Sequence, residues 1–510
     1  MYLNLASIDD LDHFRRSLGW PVAEAEKERL FEAIIDGCED LMRGEPRHFH
    51  QQILRAVLPT VASGCMNACY SAIVLDRLQS AGTKPSNYRP SLVDYFSWHI
   101  RDGAAPVQWL VSSYLAPYLG WKGWLRHGVK RLGRHESDAV LITTNPTLEQ
   151  FLKVHKVHVD RSHFVEWFWP LWIYSNRRME ISFSQGLYDR LWASVEPFRP
   201  GRRVRQWLSG MIQENVDLAA ATLLSLFRSR RARETRVLYT ATQGHPATRL
   251  ASLAVLENGG SVSGLAHGGG LLTQWSIGWM IESLTTSAFY CYTPTEQRFR
   301  RRAVPPWVDG SAEIRVLPQD DKEHVAVEHR GKIRQVLFLS GSYAGDRTHV
   351  GVLPEPTRFD LELRIIDALI RYDVKVIVKL HRKSRSLSKV RSLLEARYGD
   401  RIIISDTPLA ELLREGIAVD AFVMENVKGG SLIEVMKTDR PVILFSCGMH
   451  FLQPSLCEIF HRRVKVISCW YDDENRVLFE EDELREYLSR DSRILGYEVV
   501  DQCTNARFEY

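Results

Sequence analysis

Cysteine is scarce and unpatterned in this chain, with eight residues in 510. Cys65 and Cys69 are four apart, while Cys447, Cys457 and Cys469 lie ten and twelve apart. There is no CxxC pair, so neither a zinc ribbon nor the disulfide framework of a small secreted domain fits, and buried reduced thiols are expected. The first fourteen residues lack the basic start and apolar core of a secretory signal and carry Asp9, Asp10 and Asp12 instead. No apolar run approaches the ~18–20 residues that span a bilayer. The expected location is therefore the cytoplasm. Also missing are a Walker A sequence, a GxGxxG after a strand, an Asp-x-Asp after a strand, internal repeats and low-complexity tracts. His155 and His158 stand in neither HExxH nor Cys2His2 spacing, so no metal is expected.

The composition is that of an ordinary folded protein, 45% apolar and 25% charged. Its length exceeds one compact core, which implies two or three domains. A formal net charge of +4 suits anionic ligands or a membrane surface and falls far short of a dedicated nucleic-acid binder. Residues 1–135 read as a helical N-terminal region, since Leu30, Phe31, Ile34, Ile35, Cys38, Leu41 and Met42 recur on one helical face. Strands and helices then alternate. Strands are expected at 139–142, 236–240, 261–266 and 287–292, with helices at 245–257 and 276–285. The span 306–330, with Pro306, Pro318 and many charges, reads as a linker. Beyond it come strands at 336–340, 374–380, 402–405, 419–424 and 442–445, with helices near 357–371, 385–397, 408–415 and 430–437. Short, almost wholly apolar strands between helices predict doubly wound parallel sheets, buried on both faces. The expected fold class is α/β, with Rossmann-like units at 136–305 and 331–510.

Three motifs fall at predicted strand ends, where open α/β sheets bind ligands. The first is His267 followed by Gly268, Gly269 and Gly270, which leaves bare backbone around an imidazole able to exchange protons near neutral pH. A packed core histidine is the plain alternative. Glu282, in a mostly apolar helix, and His245, before Pro246, are lesser candidates. The same His-Gly-Gly-Gly run occurs in lipase-like oxyanion holes, but the chain has no GxSxG nucleophile elbow. The second motif is Lys379, His381, Arg382 and Lys383, a cation cluster that would attract phosphate or diphosphate if it is more than a solvated loop. The third is Gly429-Gly430-Ser431, a turn opening a helix with free N–H groups and a hydroxyl. Glu434 follows one turn later, placed to accept ribose hydroxyls or simply to face solvent. Trp109, Tyr114, Tyr118, Trp121 and Trp124, interleaved with Lys122, Arg126, Lys130, Arg131 and Arg134, would suit anionic headgroups or ordinary helix packing. The run Arg228–Arg233 could serve the same purpose.

Over roughly residues 236–450 these motifs resemble the GT-B glycosyltransferase superfamily, and within it bacterial surface-carbohydrate and capsule enzymes. The stretch 267–292 looks like that family's His-Gly-Gly element, acidic helix and strand. Lys379–Lys383 is similar to its nucleotide-contacting His-Pro element, with Arg382 where proline is usual. Ser431 and Glu434 are similar to its serine-bearing helix start and following glutamate. The resemblance implies two Rossmann-like units facing a cleft and a sugar transferred from a nucleotide-sugar co-substrate to a surface polysaccharide or glycolipid, without a cofactor or metal. His267, with Glu282 and His245, would then be catalytic beside the Gly268–Gly270 acceptor loop. Lys379, His381, Arg382, Gly429, Gly430, Ser431 and Glu434 would bind the donor. Partners would be the donor, a glycan or lipid-linked glycan and the inner membrane face, with no nucleic acid. A phosphotransferase using a CDP-alcohol and a non-catalytic glycan-binding or scaffold module are the alternatives.

Overall fold

The apolar runs bounded by glycine and charge become parallel strands in two separate sheets of the computed structural model. It describes residues 8, 10–45, 47–80, 139–143, 146–161, 181–241, 243–244, 246–265, 284–291, 294–303, 312–317, 326–341, 343, 353–381, 387–425, 430–446 and 454–500. The first sheet holds β1 (Ala139–Thr143), β2 (Asp160–Arg161), β3 (Val237–Thr240), β4 (Ser261–Leu265), β5 (Ala288–Cys291) and β6 (Glu313–Val316), in the order β2-β1-β3-β4-β5-β6. Every pairing in it is parallel. After β7 (Val327–Arg330), the second sheet is built from β8 (Gln335–Leu339), β9 (Lys375–Lys379), β10 (Ile402–Ser405), β11 (Ala421–Met424), β12 (Val442–Ser446), β13 (Val464–Tyr471) and β14 (Val477–Phe479). Its order is β10-β9-β8-β11-β12-β13-β14, with only β14 antiparallel. The chain therefore winds outward from β8 through β9 to β10, then returns to lay β11 on the other side of β8. That reversal is a topological switch point.

The fold class is as expected: two Rossmann-like doubly wound units with a helical N-terminal region. The stretch expected as a linker, 306–330, carries two strands. β6 closes the first sheet, and β7 pairs antiparallel with β15 (Ser492–Leu495).

Three helices open the chain: α1 (Leu11–Ser17), α2 (Glu24–Gly44) and α3 (His48–Ser80). The Asp10 side chain caps α1 by accepting the His13 N–H at 2.9 Å. α2 buries the predicted apolar stripe against α3 and α4 (Ile181–Val195), in one core with α5 (Gly201–Phe227) and α6 (Pro246–Glu257). α3 is long and apolar enough to cross a membrane by length and composition, an exception to the sequence reading, but 72% of that window is buried in the fold. Pro59 interrupts its hydrogen-bond ladder. At that point the buried Arg249 of α6 donates to Ala56 O and Thr60 Oγ1, each at 2.7 Å, and to Gln243 O beyond β3, also at 2.7 Å. One guanidinium so ties the helical layer to the carboxyl end of the first sheet.

α1 belongs elsewhere. Phe14 and Leu18 are buried in the core of the second sheet with α7 (Glu355–Arg371) and α8 (Leu387–Tyr398). Arg15 reaches Asp360 and Asp367 of α7 at 3.4 and 2.6 Å. Trp20 then spans the two units: its N–H donates to Glu474 O at 2.8 Å, beside β14, and its indole to Tyr70 of α3 at 2.7 Å. The first two dozen residues thus act as a strap between the two units.

Candidate functional site

The carboxyl edge of the second sheet concentrates polar groups that its apolar strands do not foreshadow. β8 and β9 run in register, Leu339 opposite Lys379, so the two strand ends emerge together. The Ser340 N–H donates to Lys379 O at 3.1 Å, and the Leu380 N–H to Ser405 O at 3.0 Å at the end of β10. Lys379 is half-buried, with Nζ 3.2 Å from Leu380 O, while the following His381 is exposed. On the far side of β8, Met424 pairs with Leu339, which places Glu425 at the same edge.

Below this edge lies a buried acid cluster. Glu362, on α7, accepts Ser340 Oγ at 2.9 Å, the Gly341 N–H at 3.2 Å and Tyr343 OH at 2.7 Å. Arg358, one turn earlier on α7, approaches Glu425 Oε1 at 3.6 Å, and all three charged side chains are nearly inaccessible. Gly341 leaves room for the two charged ends, since a Cβ there would lie 2.5 Å from Glu425 Oε1 and 3.1 Å from Arg358 Nη1 and would push them aside.

Burial, then the charge of Glu425, pushes the Glu362 carboxyl up to about 7 despite the donors around it. Burial raises Glu425 as well, against the pull of Arg358. Burial works against the charge of Arg358, but Glu425, Tyr343 and Glu362 outweigh it and keep the guanidinium protonated. Two carboxylates therefore share one permanent cation. The cluster extends to the N-terminal helices. Lys27 of α2, fully buried and paired with Glu24, is lowered first by burial and further by the charge of Arg358.

A pH dependence of stability follows. The folded protein keeps a proton on Glu362 that an unfolded chain loses above its ordinary 4.5. Stability from this group is fully present below pH 4.5, and is lost as pH rises through about 7. The urea midpoint is expected to fall between pH 5 and pH 8, and Glu362→Gln to flatten that slope. An unchanged slope in the variant would assign the dependence to other groups.

Of the donor-side residues expected from sequence, Lys379 and His381 stand at the end of β9. Gly430 opens helix α9 (Gly430–Met436), Ser431 is exposed on its first turn and Glu434 is half-buried. That helix is only seven residues long, so its dipole is weak. Its far end is fixed by the buried Arg463 at the end of α10 (Pro454–Arg463). The guanidinium donates to Val435 O, Met436 O, Thr438 O and Arg440 O at 2.7–3.1 Å. Arg382, Gly429, His245, His267, Gly268, Gly269, Gly270 and Glu282 lie outside the described residues, as does the aromatic and basic stretch 109–134. In the Arg228–Arg233 run, Arg231 pairs with Asp160 at 2.6 Å and Arg230 with Glu234 at 2.5 Å, so part of it serves the fold.

Ser340, Gly341, Tyr343, Arg358 and Glu362 were not among the expected site residues, and Glu425, at the start of the stretch that carries the third motif, had no role assigned. A signal existed: Glu425 caps a wholly apolar strand, and Arg358 and Glu362 sit four apart in an amphipathic helix.

The sheets and this edge define an α/β protein of two Rossmann-like units whose second unit has a polar switch point. No protein-family model and no curated protein matches the chain. Similar solved structures include UDP-GlcNAc 2-epimerase of Methanocaldococcus jannaschii, at 11% identity over 69% of this chain and 91% of that one, with a TM-score of 0.37. The Neisseria meningitidis UDP-GlcNAc 2-epimerase is 9% identical over 68% and 89%, with a TM-score of 0.35. Anabaena Alr3699/HepE is 12% identical over 69% and 88%, also at 0.35.

Proposed function

We propose that the protein is a nucleotide-sugar-dependent enzyme, a glycosyltransferase that moves the sugar to a surface polysaccharide or glycolipid acceptor. The observation that carries this reading is the convergence at one switch point of Lys379, the exposed His381, the Ser340–Gly341 turn and the strand leading to Ser431. A ligand of a doubly wound sheet sits at such a reversal. Cations and hydroxyls gathered there suit a leaving diphosphate, whose developing charge they stabilise. Arg382 and Gly429 complete the donor side by sequence, and Glu434 takes the ribose. His267, with Glu282 and His245, acts on the acceptor hydroxyl beside Gly268–Gly270 in the first unit. The nucleotide sugar is a co-substrate, and neither cofactor nor metal takes part. The work is done in the cytoplasm, at the inner face of the membrane.

A thermal-shift panel with CMP, CDP, UDP, GDP and ADP tests the donor side. One nucleotide is expected to raise the apparent stability by about 2.7 kcal/mol at a hundred times its Kd. The shift should vanish in His381→Ala and Ser431→Ala. His267→Ala should keep the shift and lose transfer. No shift with any nucleotide would turn the reading toward a non-catalytic module.

A further inference from the structure

We propose that anion binding at the carboxyl edge of the second sheet is coupled to uptake of a proton by the Glu362–Glu425 pair, so that the nucleotide binds more tightly as pH falls through neutrality. The inference rests on the nucleotide reading of this edge and adds its regulation. Glu362 is hydrogen-bonded to Ser340, whose own N–H is bonded to the carbonyl of Lys379. Gly341 touches both acids, donating its N–H to Glu362 and leaving no room for a Cβ beside Glu425. The acid pair is therefore the floor of the site through its backbone.

Other groups around the pair do not remove the imbalance. Arg358 faces it from α7, Tyr343 and Ser340 from the turn after β8, and Glu355 acts on Arg358 from the start of α7. From α2, Lys27 is already paired with Glu24. With both acids ionised, the two carboxylates and Arg358 sum to one negative charge in a buried site, which opposes an arriving phosphate. One proton neutralises that sum. A bound anion raises the proton affinity of nearby carboxylates, and by linkage a proton on the pair raises the affinity for the anion by the same factor. The two acids titrate as a unit, so the proton belongs to the pair.

Isothermal titration of the full chain with UDP, and in parallel with inorganic sulfate, which has no titrating proton in this range, tests this in two buffers of different ionisation enthalpy. Working above about pH 7 leaves the terminal phosphate of UDP, which titrates near ~6, almost wholly ionised. Uptake approaching one proton is expected, with affinity weakening by up to about tenfold per pH unit above neutrality. Glu425→Gln keeps a hydrogen-bonding side chain, removes the charge, and should abolish the uptake and flatten the profile. The exposed imidazole of His381 is the competing source of such a profile, and it would leave the uptake intact in Glu425→Gln. Uptake that survives in Glu425→Gln would overturn the proposal, as would binding without uptake. Binding by neither ligand would overturn the nucleotide reading, and the proposal with it. Should Glu425→Gln not fold, infrared difference spectra of the wild-type protein decide: a protonated carboxyl band must appear on ligand addition, and its absence refutes the coupling.

Discussion

Arg358→Ala is expected to destabilise the second unit by about 3–5 kcal/mol, the usual cost of stranding a buried charge by removing its partner. The substitution would leave Glu425 and Glu362 facing each other with no cation between them, although both are almost wholly buried. Burial already raises both acids with Arg358 present, so its loss should drive them further toward the protonated form. The variant should therefore be weakest at alkaline pH and partly recover under mild acid. Urea unfolding followed by circular dichroism at pH 5 and pH 8 checks this. A loss below about 1 kcal/mol, within the range of exposed ion pairs, would show that the cluster is wetter than its burial implies. Arg358→Lys should not rescue fully, because a single ammonium cannot reproduce the planar fork of guanidinium donors.

Arg463→Ala is expected to cost a similar amount, about 3 kcal/mol or more, and to weaken nucleotide binding as well. Its guanidinium is the common donor to four backbone carbonyls around the end of α9. A buried polar group left unpaired costs about 1–3 kcal/mol, and water has little access here. Burial holds the Arg463 pKa down to about 10, with the nearby Tyr497 ring offsetting part of that, so the side chain stays charged at neutral pH. Tyr497 closes the arrangement, its hydroxyl donating to Thr438 O at 2.6 Å. Because α9 carries Ser431, a loosened helix end should lower nucleotide affinity even where the protein remains folded. Comparing urea midpoints with dissociation constants separates the two effects. Lost stability with unchanged affinity would mean that Ser431 takes no part in binding.

The central strands were legible because burial on both faces leaves no choice of residue. The span 419–424 in sequence becomes Ala421–Met424, and 336–340 becomes Gln335–Leu339, each fully apolar over most of its length. β6 and β7 were not legible. Their residues, Glu-Ile-Arg-Val and Val-Glu-His-Arg, bury only Ile314 and His329, as a strand at a sheet edge or in a two-stranded ribbon does. β7 also depends on β15, more than 150 residues away, for its partner.

Local sequence by itself determined the core strands and the helices between them, their parallel winding and the position of Lys379, His381 and Ser431 at strand ends or the helix start that follows. Each of these follows from apolar periodicity and turn residues acting over a dozen positions at most. Tertiary structure alone decided that α1 joins the second core rather than the helices beside it, and that Arg358, Glu362 and Glu425 form a buried cluster. In sequence Arg358 and Glu362 look like an ordinary solvated pair four residues apart. Their burial beside a carboxylate from a strand more than 60 residues downstream is a property of the switch point, where β11 returns to lie against β8. Long-range pairing carries no local sequence signature, so the charge chemistry at the edge of the second sheet exists only once the chain has closed on itself.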